Sequence, residues 1–250
     1  MNLGLRGKVA LVAAASRGLG RAVADELGAE GASLILCARQ REPLEQAAAA
    51  IRAAAGVEVL AEPADVADPA AVERLVAHGL DRFGRVDVLV TNAGGPPAGS
   101  FESLTPEMWD AAVRLTLGST VALTRAVLPG MKARRWGRIV NITSVAVKQP
   151  VDSLMLSNSL RAAVTGFART LASEVAPFGV TVNNALPGYT RTERVEQLAR
   201  ASAAGGGPSA EAVVRGWEAQ IPVGRLGEER ELAALVAFLA SERASYITGA

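Results

Sequence analysis

The chain has 250 residues, half of them hydrophobic, with 26 basic and 25 acidic side chains. That is enough apolar length for a large core, and a formal net charge of +1 leaves no basic footprint for nucleic acid or anionic lipid and no acidic tail. One cysteine, Cys37, cannot close an internal disulfide, and one histidine, His78, excludes a multi-histidine metal site.

The first apolar run, "KVALVAA", reads as a strand. Arg6 and Lys8 before "VALVAAAS" imitate a secretory leader, but an apolar run of about seven residues is at the bottom of that range. It also leads straight into a glycine-rich turn, so a cytoplasmic location is expected. In "AAASRGLGRAVA", Gly18 and Gly20 sit where a strand turns into a helix. Glycine there lets the backbone approach a pyrophosphate and lets the helix pack closely on the sheet.

Further strands are expected at "SLILCA", "VEVLAEP", "RVDVLVTN", "GRIVNITS" and "GVTVNNALP", each short, rich in Val, Ile and Leu, and apolar on both faces. Cys37 falls inside the second, as a small buried hydrophobe. Between them run helical patterns: "GRAVADELGAEG" and "EPLEQAAAAIRAAAG", each closed by glycine, and "DPAAVERLVAHGLDRFG", opened by Asp68 as cap and Pro69. His78 lies on the flank of that last helix with no evident role. "TPEMWDAAVRLTLGSTVALTRAVLPGMKARR" has the same kind of start.

The longest uncharged run, between Glu174 and Arg191, holds Pro177, Gly179, Pro187 and Gly188 and cannot be a spanning helix. Strand-helix alternation predicts one α/β domain over 1–250, a Rossmann-type doubly wound parallel sheet with helices on both faces. Residues 199–210, "ARASAAGGGPSA", interrupt two helical patterns. They mark 191–218 as either a surface loop or a mobile substrate flap.

Nearly the whole chain resembles the short-chain dehydrogenase/reductase family, especially its 3-oxoacyl-acyl-carrier-protein reductase branch. The family opens with Thr-Gly-x-x-x-Gly-x-Gly; here Ala13 and Ala14 precede Gly18 and Gly20. The added methyl of Ala14 crowds the turn, though alanine tolerates many backbone conformations. The resemblance assigns cofactor contacts to Ala14, Ser16, Arg17, Gly18, Leu19 and Gly20 in this turn, and to Asp65 and Val66 after the third strand. It adds Asn92, Ala93 and Gly94 in "TNAG", and Pro187, Gly188, Thr190 and Thr192 in "LPGYTRT". "ERASYITGA" is similar to the segment that leads into the family's last strand, which the sequence does not reach.

Enzymes that bind NAD usually place an acid after the second strand, on the ribose 2′-hydroxyl. Here that strand ends "LCARQ", with Ala38 neutral and Arg39 basic, and Arg17 lies in the glycine turn facing the same ribose. Two guanidiniums and no acid favour a 2′-phosphate, hence NADP(H).

The family's chemistry uses a tyrosine acid, a lysine four residues later, a serine and an asparagine. In register, these positions hold Ser157, Arg161, Ser144 and Thr116; only the serine is kept. An aliphatic hydroxyl is a far weaker acid than tyrosine, whose reference pKa is about 10. Arg161, with an ordinary pKa above about 12, stays charged and shuttles no proton. It could bind ribose or polarise a carbonyl. Tyr189, beside the Pro187-Gly188 turn, and Lys148, four residues past Ser144, are possible substitute acids; packing and solvation are the plainer readings of each.

Three functions remain open. One is an NADP(H)-dependent oxidoreductase of a small carbonyl or acyl substrate with a non-standard site. The others are an inactive NADP(H)-binding sensor or regulatory subunit, and a scaffold that binds no dinucleotide. The apolar helices around 111–128 and 162–175 are expected to pair in a homodimer or homotetramer; no membrane or nucleic-acid partner is expected.

Overall fold

The computed structural model describes residues 2–204 and 208–250. Each expected strand forms: β1 (Val9–Ala13), β2 (Ser33–Ala38), β3 (Val59–Pro63), β4 (Val88–Thr91), β5 (Gly137–Ile142) and β6 (Val180–Ala185). They make one sheet in the order β3-β2-β1-β4-β5-β6, with every pairing parallel. Parallel neighbours need a crossover, and helices supply each one: α1 (Gly18–Ala29), α2 (Arg41–Ala55), α3 (Pro69–Phe83), α4 (Pro106–Val113), α5 (Ser119–Arg134) and α6 (Met155–Val175).

Alternate strand residues face opposite helical layers. Val12, Leu34, Leu36, Val88 and Val140 pack with Val23 and Leu27 of α1, Leu44 of α2 and Val236 of α9 (Glu229–Leu239). Leu11, Ile35, Leu89, Ile139 and Val182 pack with Leu75 of α3, Leu123 and Val127 of α5 and Leu171 of α6. Cys37 is wholly buried in the second layer, and burial pushes its thiol up to about 12. His78 is half exposed on α3, its Nδ1 3.1 Å from a Glu62 carboxylate oxygen.

The helical run 106–134 is long and apolar enough to cross a bilayer, yet it sinks Leu123, Val127 and Met131 into the core, as an inner-layer helix does. A π-helical turn, Arg114–Gly118, separates α4 from α5. At the amino-terminal edge of the sheet, buried Asp87 accepts from Val9 N–H (3.0 Å) and from two N–H groups of Arg85 (2.9 and 2.7 Å). This ties β4 to β1 opposite the cleft.

Strand order reverses between β1 and β4, so the crossovers there leave in opposite directions and open a crevice at the carboxyl edge. The turn from β1 into α1 lines it. Gly18 has φ +62°, and Ala14 has φ +52°. The alanine therefore does not sit in a conformation it accepts freely; it occupies the left-handed region, at roughly 1–2 kcal/mol. A side chain on Gly20 would collide with the Ala14 carbonyl and come within 2.8 Å of Asn92 Nδ2. The Ala14→Gly variant is expected to gain about 1 kcal/mol of stability, less than the full strain because glycine loses more entropy on folding. Urea denaturation should show a raised midpoint with an unchanged slope.

Candidate functional site

The site grows from the carboxyl ends of β1, β4, β5 and β6. No side chain caps the first turn of α1, so its backbone N–H groups point unclaimed into the crevice. Such an end favours an anion. Ser16, Leu19 and Gly20 complete this turn; Asn92, Ala93 and Gly94 continue β4 on the other side. Asp65 is exposed and accepts from Ala67 N–H (3.0 Å), while Val66 is buried against the inner layer. Arg39 stands exposed at the end of β2.

Arg17 is not free. Its Nη1 pairs with Glu193 at 2.6 Å, across 176 residues. Both side chains are more than half exposed, so the pair is worth at most about 1 kcal/mol and a phosphate can displace it. A second acid, Glu229, reaches to 3.9 Å from where a Gly18 side chain would begin. Burial and the neighbouring Glu228 and Asp25 raise its pKa. Both acids come to this turn from remote parts of the chain.

Deeper in, Ser144 lies two residues past the end of β5 and opens the turn Val145–Val147. Its Oγ accepts from Ala146 N–H at 3.1 Å, which orients the side chain and leaves the hydroxyl proton free to donate. Ser157 and Arg161 lie one turn apart on α6, as their spacing requires. Arg161, however, is buried and turned onto the backbone: Nη1 donates to Ile142 O at 2.7 Å and Nη2 to Ala93 O at 3.4 Å. It staples the ends of β5 and β4 together. Its expected pKa above about 12 is also corrected: burial, then the charge of Arg194, brings it down to about 10. It remains a cation at neutral pH.

Thr116 falls in the π-helical turn, and its hydroxyl is buried without a hydrogen-bond partner. Lys148 is exposed just past the turn that Ser144 opens. Pro187 and Gly188 follow β6; Thr190 is buried, with Oγ1 donating to Gly188 O at 3.3 Å, and Thr192 accepts from Val195 N–H at 3.3 Å.

Helices α7 (Glu193–Ala204) and α8 (Ala210–Glu218) occupy the expected flap; the glycine run 205–207 lies outside the described residues. Tyr189 stacks on Trp217 of α8, ring centres 4.6 Å apart and planes within 10°. Burial and Asp152 raise the Tyr189 pKa, away from the range that suits a neutral-pH acid. Arg194 reaches from α7 to Pro96 O at 2.8 Å.

Sequence reasoning missed Glu193, Arg194, Trp217 and Glu229, because their partners are remote along the chain. It also missed Asn158, whose amide exchanges hydrogen bonds with the Val151 backbone at 3.2 and 2.9 Å and pins the loop before α6. No cluster of metal-ligating side chains occurs among the described residues.

Comparison with known proteins bears on this arrangement. Residues 8–203 match the family model described as short chain dehydrogenase. The 3-oxoacyl-[acyl-carrier-protein] reductase of Escherichia coli K12 is 37% identical over 247 residues, 99% of this chain and 95% of that protein. L-sorbose reductase of Gluconobacter frateurii, solved with NADPH and L-sorbose, superposes with a TM-score of 0.94 at 34% identity, covering 100% of this chain and 95% of that one. A variant of actinorhodin polyketide ketoreductase, solved with NADPH, gives 0.93 at 36% identity, covering 97% and 93%. With its doubly wound sheet, its glycine turn and this likeness along its length, the chain belongs to the short-chain dehydrogenase/reductase family.

Proposed function

We propose that this protein is an NADP(H)-dependent oxidoreductase of a carbonyl or alcohol substrate, 3-oxoacyl-reductase-like, with a non-standard active site. The uncapped, glycine-lined amino terminus of α1 at the point of strand reversal carries this reading. Gly18 leaves the turn open to a pyrophosphate, and Gly20 lets α1 sit close on the Ala14 carbonyl and the Asn92 amide, which sets the height of that turn. With no acid at the end of β2, Arg39 and Arg17 suit a 2′-phosphate, Arg17 exchanging Glu193 for it. The relatives solved with NADPH add support. Asn92, Ala93, Gly94, Pro187, Gly188, Thr190 and Thr192 are the further residues proposed to hold such a cofactor.

When bound, NADPH supplies hydride. The chain's own share is to place and polarise the acceptor. Ser144 has a free hydroxyl proton to offer a carbonyl oxygen. Arg161, held on the backbone, adds fixed positive charge behind it and moves no proton. Ser157 is too weak an acid to replace tyrosine, and Tyr189 serves better as an aromatic wall of the lid than as a donor. Water is then the proton source. Losing one general acid typically costs about 10²–10⁴-fold, so a slow reductase survives.

The second reading, a cofactor sensor or regulatory subunit without turnover, draws on the same Arg161 clamp. The α7–α8 unit is proposed to move as a lid. Self-association is proposed through the α5–α6 face, where Val121, Leu128, Phe167 and Leu171 line an open groove of about 480 Å³. A cytoplasmic location is proposed in keeping with these assignments.

Calorimetric titration should show NADPH binding well above NADH. Transfer of deuterium from labelled NADPH to a 3-oxoacyl substrate is expected; binding without transfer would leave the sensor reading. The double variant Ser157→Tyr/Arg161→Lys should raise turnover by about 10²-fold or more, followed as NADPH oxidation. Tyr189→Phe should leave the wild-type rate within about twofold, since its hydroxyl is far from a working acid's range.

A further inference from the structure

Two guanidiniums hold the loop 93–96, which leaves β4 at the floor of the cleft. Arg161 reaches Ala93 O from behind, and Arg194 reaches Pro96 O from the lid at 2.8 Å. Arg194 lies flat against Gly95: a side chain there would begin 2.8 Å from Nε and 3.0 Å from Cζ. The guanidinium thus occupies the space that a side chain at Gly95 would take.

Neither cation has a carboxylate partner within salt-bridge distance among the described residues. Three acids of α7 and α8 are engaged elsewhere: Glu193 with Arg17, Glu196 with Arg200, and Glu218, together with Glu228 before α9, with Arg191; the fourth, Glu211, sits beside Ser209 at the start of α8. Burial lowers the pKa of both arginines, and the charge of Arg194 adds to the effect on Arg161. Two partly desolvated like charges with no counter-ion are unfavourable unless an anion joins them. Of the five N–H groups on Arg194, one is used on Pro96 O.

We propose that Arg194, backed by Arg161, is an oxyanion-binding element of this cleft. It would take a carboxylate on an acidic carbonyl substrate or a phosphate oxygen of the dinucleotide. A planar guanidinium matches either group with paired N–H donors. Neutral esters gain nothing from it, so where the oxyanion belongs to the substrate, Arg194 selects free oxo acids. That branch rests on the oxidoreductase reading; the anion site itself does not.

The test is calorimetric binding by wild-type protein and Arg194→Gln, a variant that keeps the polar stem of the side chain but carries no charge. The probes are NADPH, inorganic pyrophosphate and, in NADP⁺-loaded protein, acetoacetate against ethyl acetoacetate. An unchanged thermal midpoint would show that the variant keeps the fold. The expected result is a loss of roughly 10- to 100-fold for one anion class, the worth of a charge-assisted hydrogen bond. Loss confined to NADPH and pyrophosphate assigns the oxyanion to the cofactor. Loss confined to acetoacetate, with the ester unaffected, assigns it to the substrate. Equal affinities of wild type and variant for every anion overturn the proposal while leaving the oxidoreductase reading intact. Wild-type protein that takes up none of the three anions overturns both.

Discussion

The absence of a side chain at Gly20 is the constraint on which the cleft depends. It lets α1 descend until its first turn meets the Ala14 carbonyl and the Asn92 amide, where β1 and β4 part. Everything downstream uses that contact. It aims the free N–H groups of α1 across the crevice, and it sets the loop after β4 at the height where Arg161 can tie it to β5. A methyl group at Gly20 would push the helix off the sheet and widen the site from its base.

Much of this architecture is legible in residue order. Both-face apolar strands spaced by amphipathic helices admit few solutions besides a doubly wound sheet. Local rules also located the ends of elements: Asp68 caps α3 by accepting from Ala70 N–H, and Gly56 and Gly84 close α2 and α3 with left-handed backbone. The strain at Ala14 was less legible. A turn sequence states which residue is unusual but not which sign of φ the surrounding sheet imposes.

The site was legible only where it is local. Ser144, Ser157 and Arg161 follow from position along β5 and α6, whereas the direction in which Arg161 points does not. Its guanidinium answers to carbonyls at Ile142 and Ala93, 19 and 68 residues away. The same holds for Arg17 with Glu193 and for Tyr189 with Trp217, pairs made where the chain after β6 returns over the carboxyl edge of the sheet. The planar fork at position 161 supplies donors enough to bind two strand ends at once.

Cys37 carries a different consequence. Enclosed in β2, with its thiol held far above neutrality, it exists almost wholly as unreactive S–H while the fold is closed. Because it is the chain's one sulfhydryl, alkylation at neutral pH has a single target. That target becomes available only when the central sheet parts, so the rate of labelling reads out the opening of the core itself. The molecule carries its own clock for global unfolding.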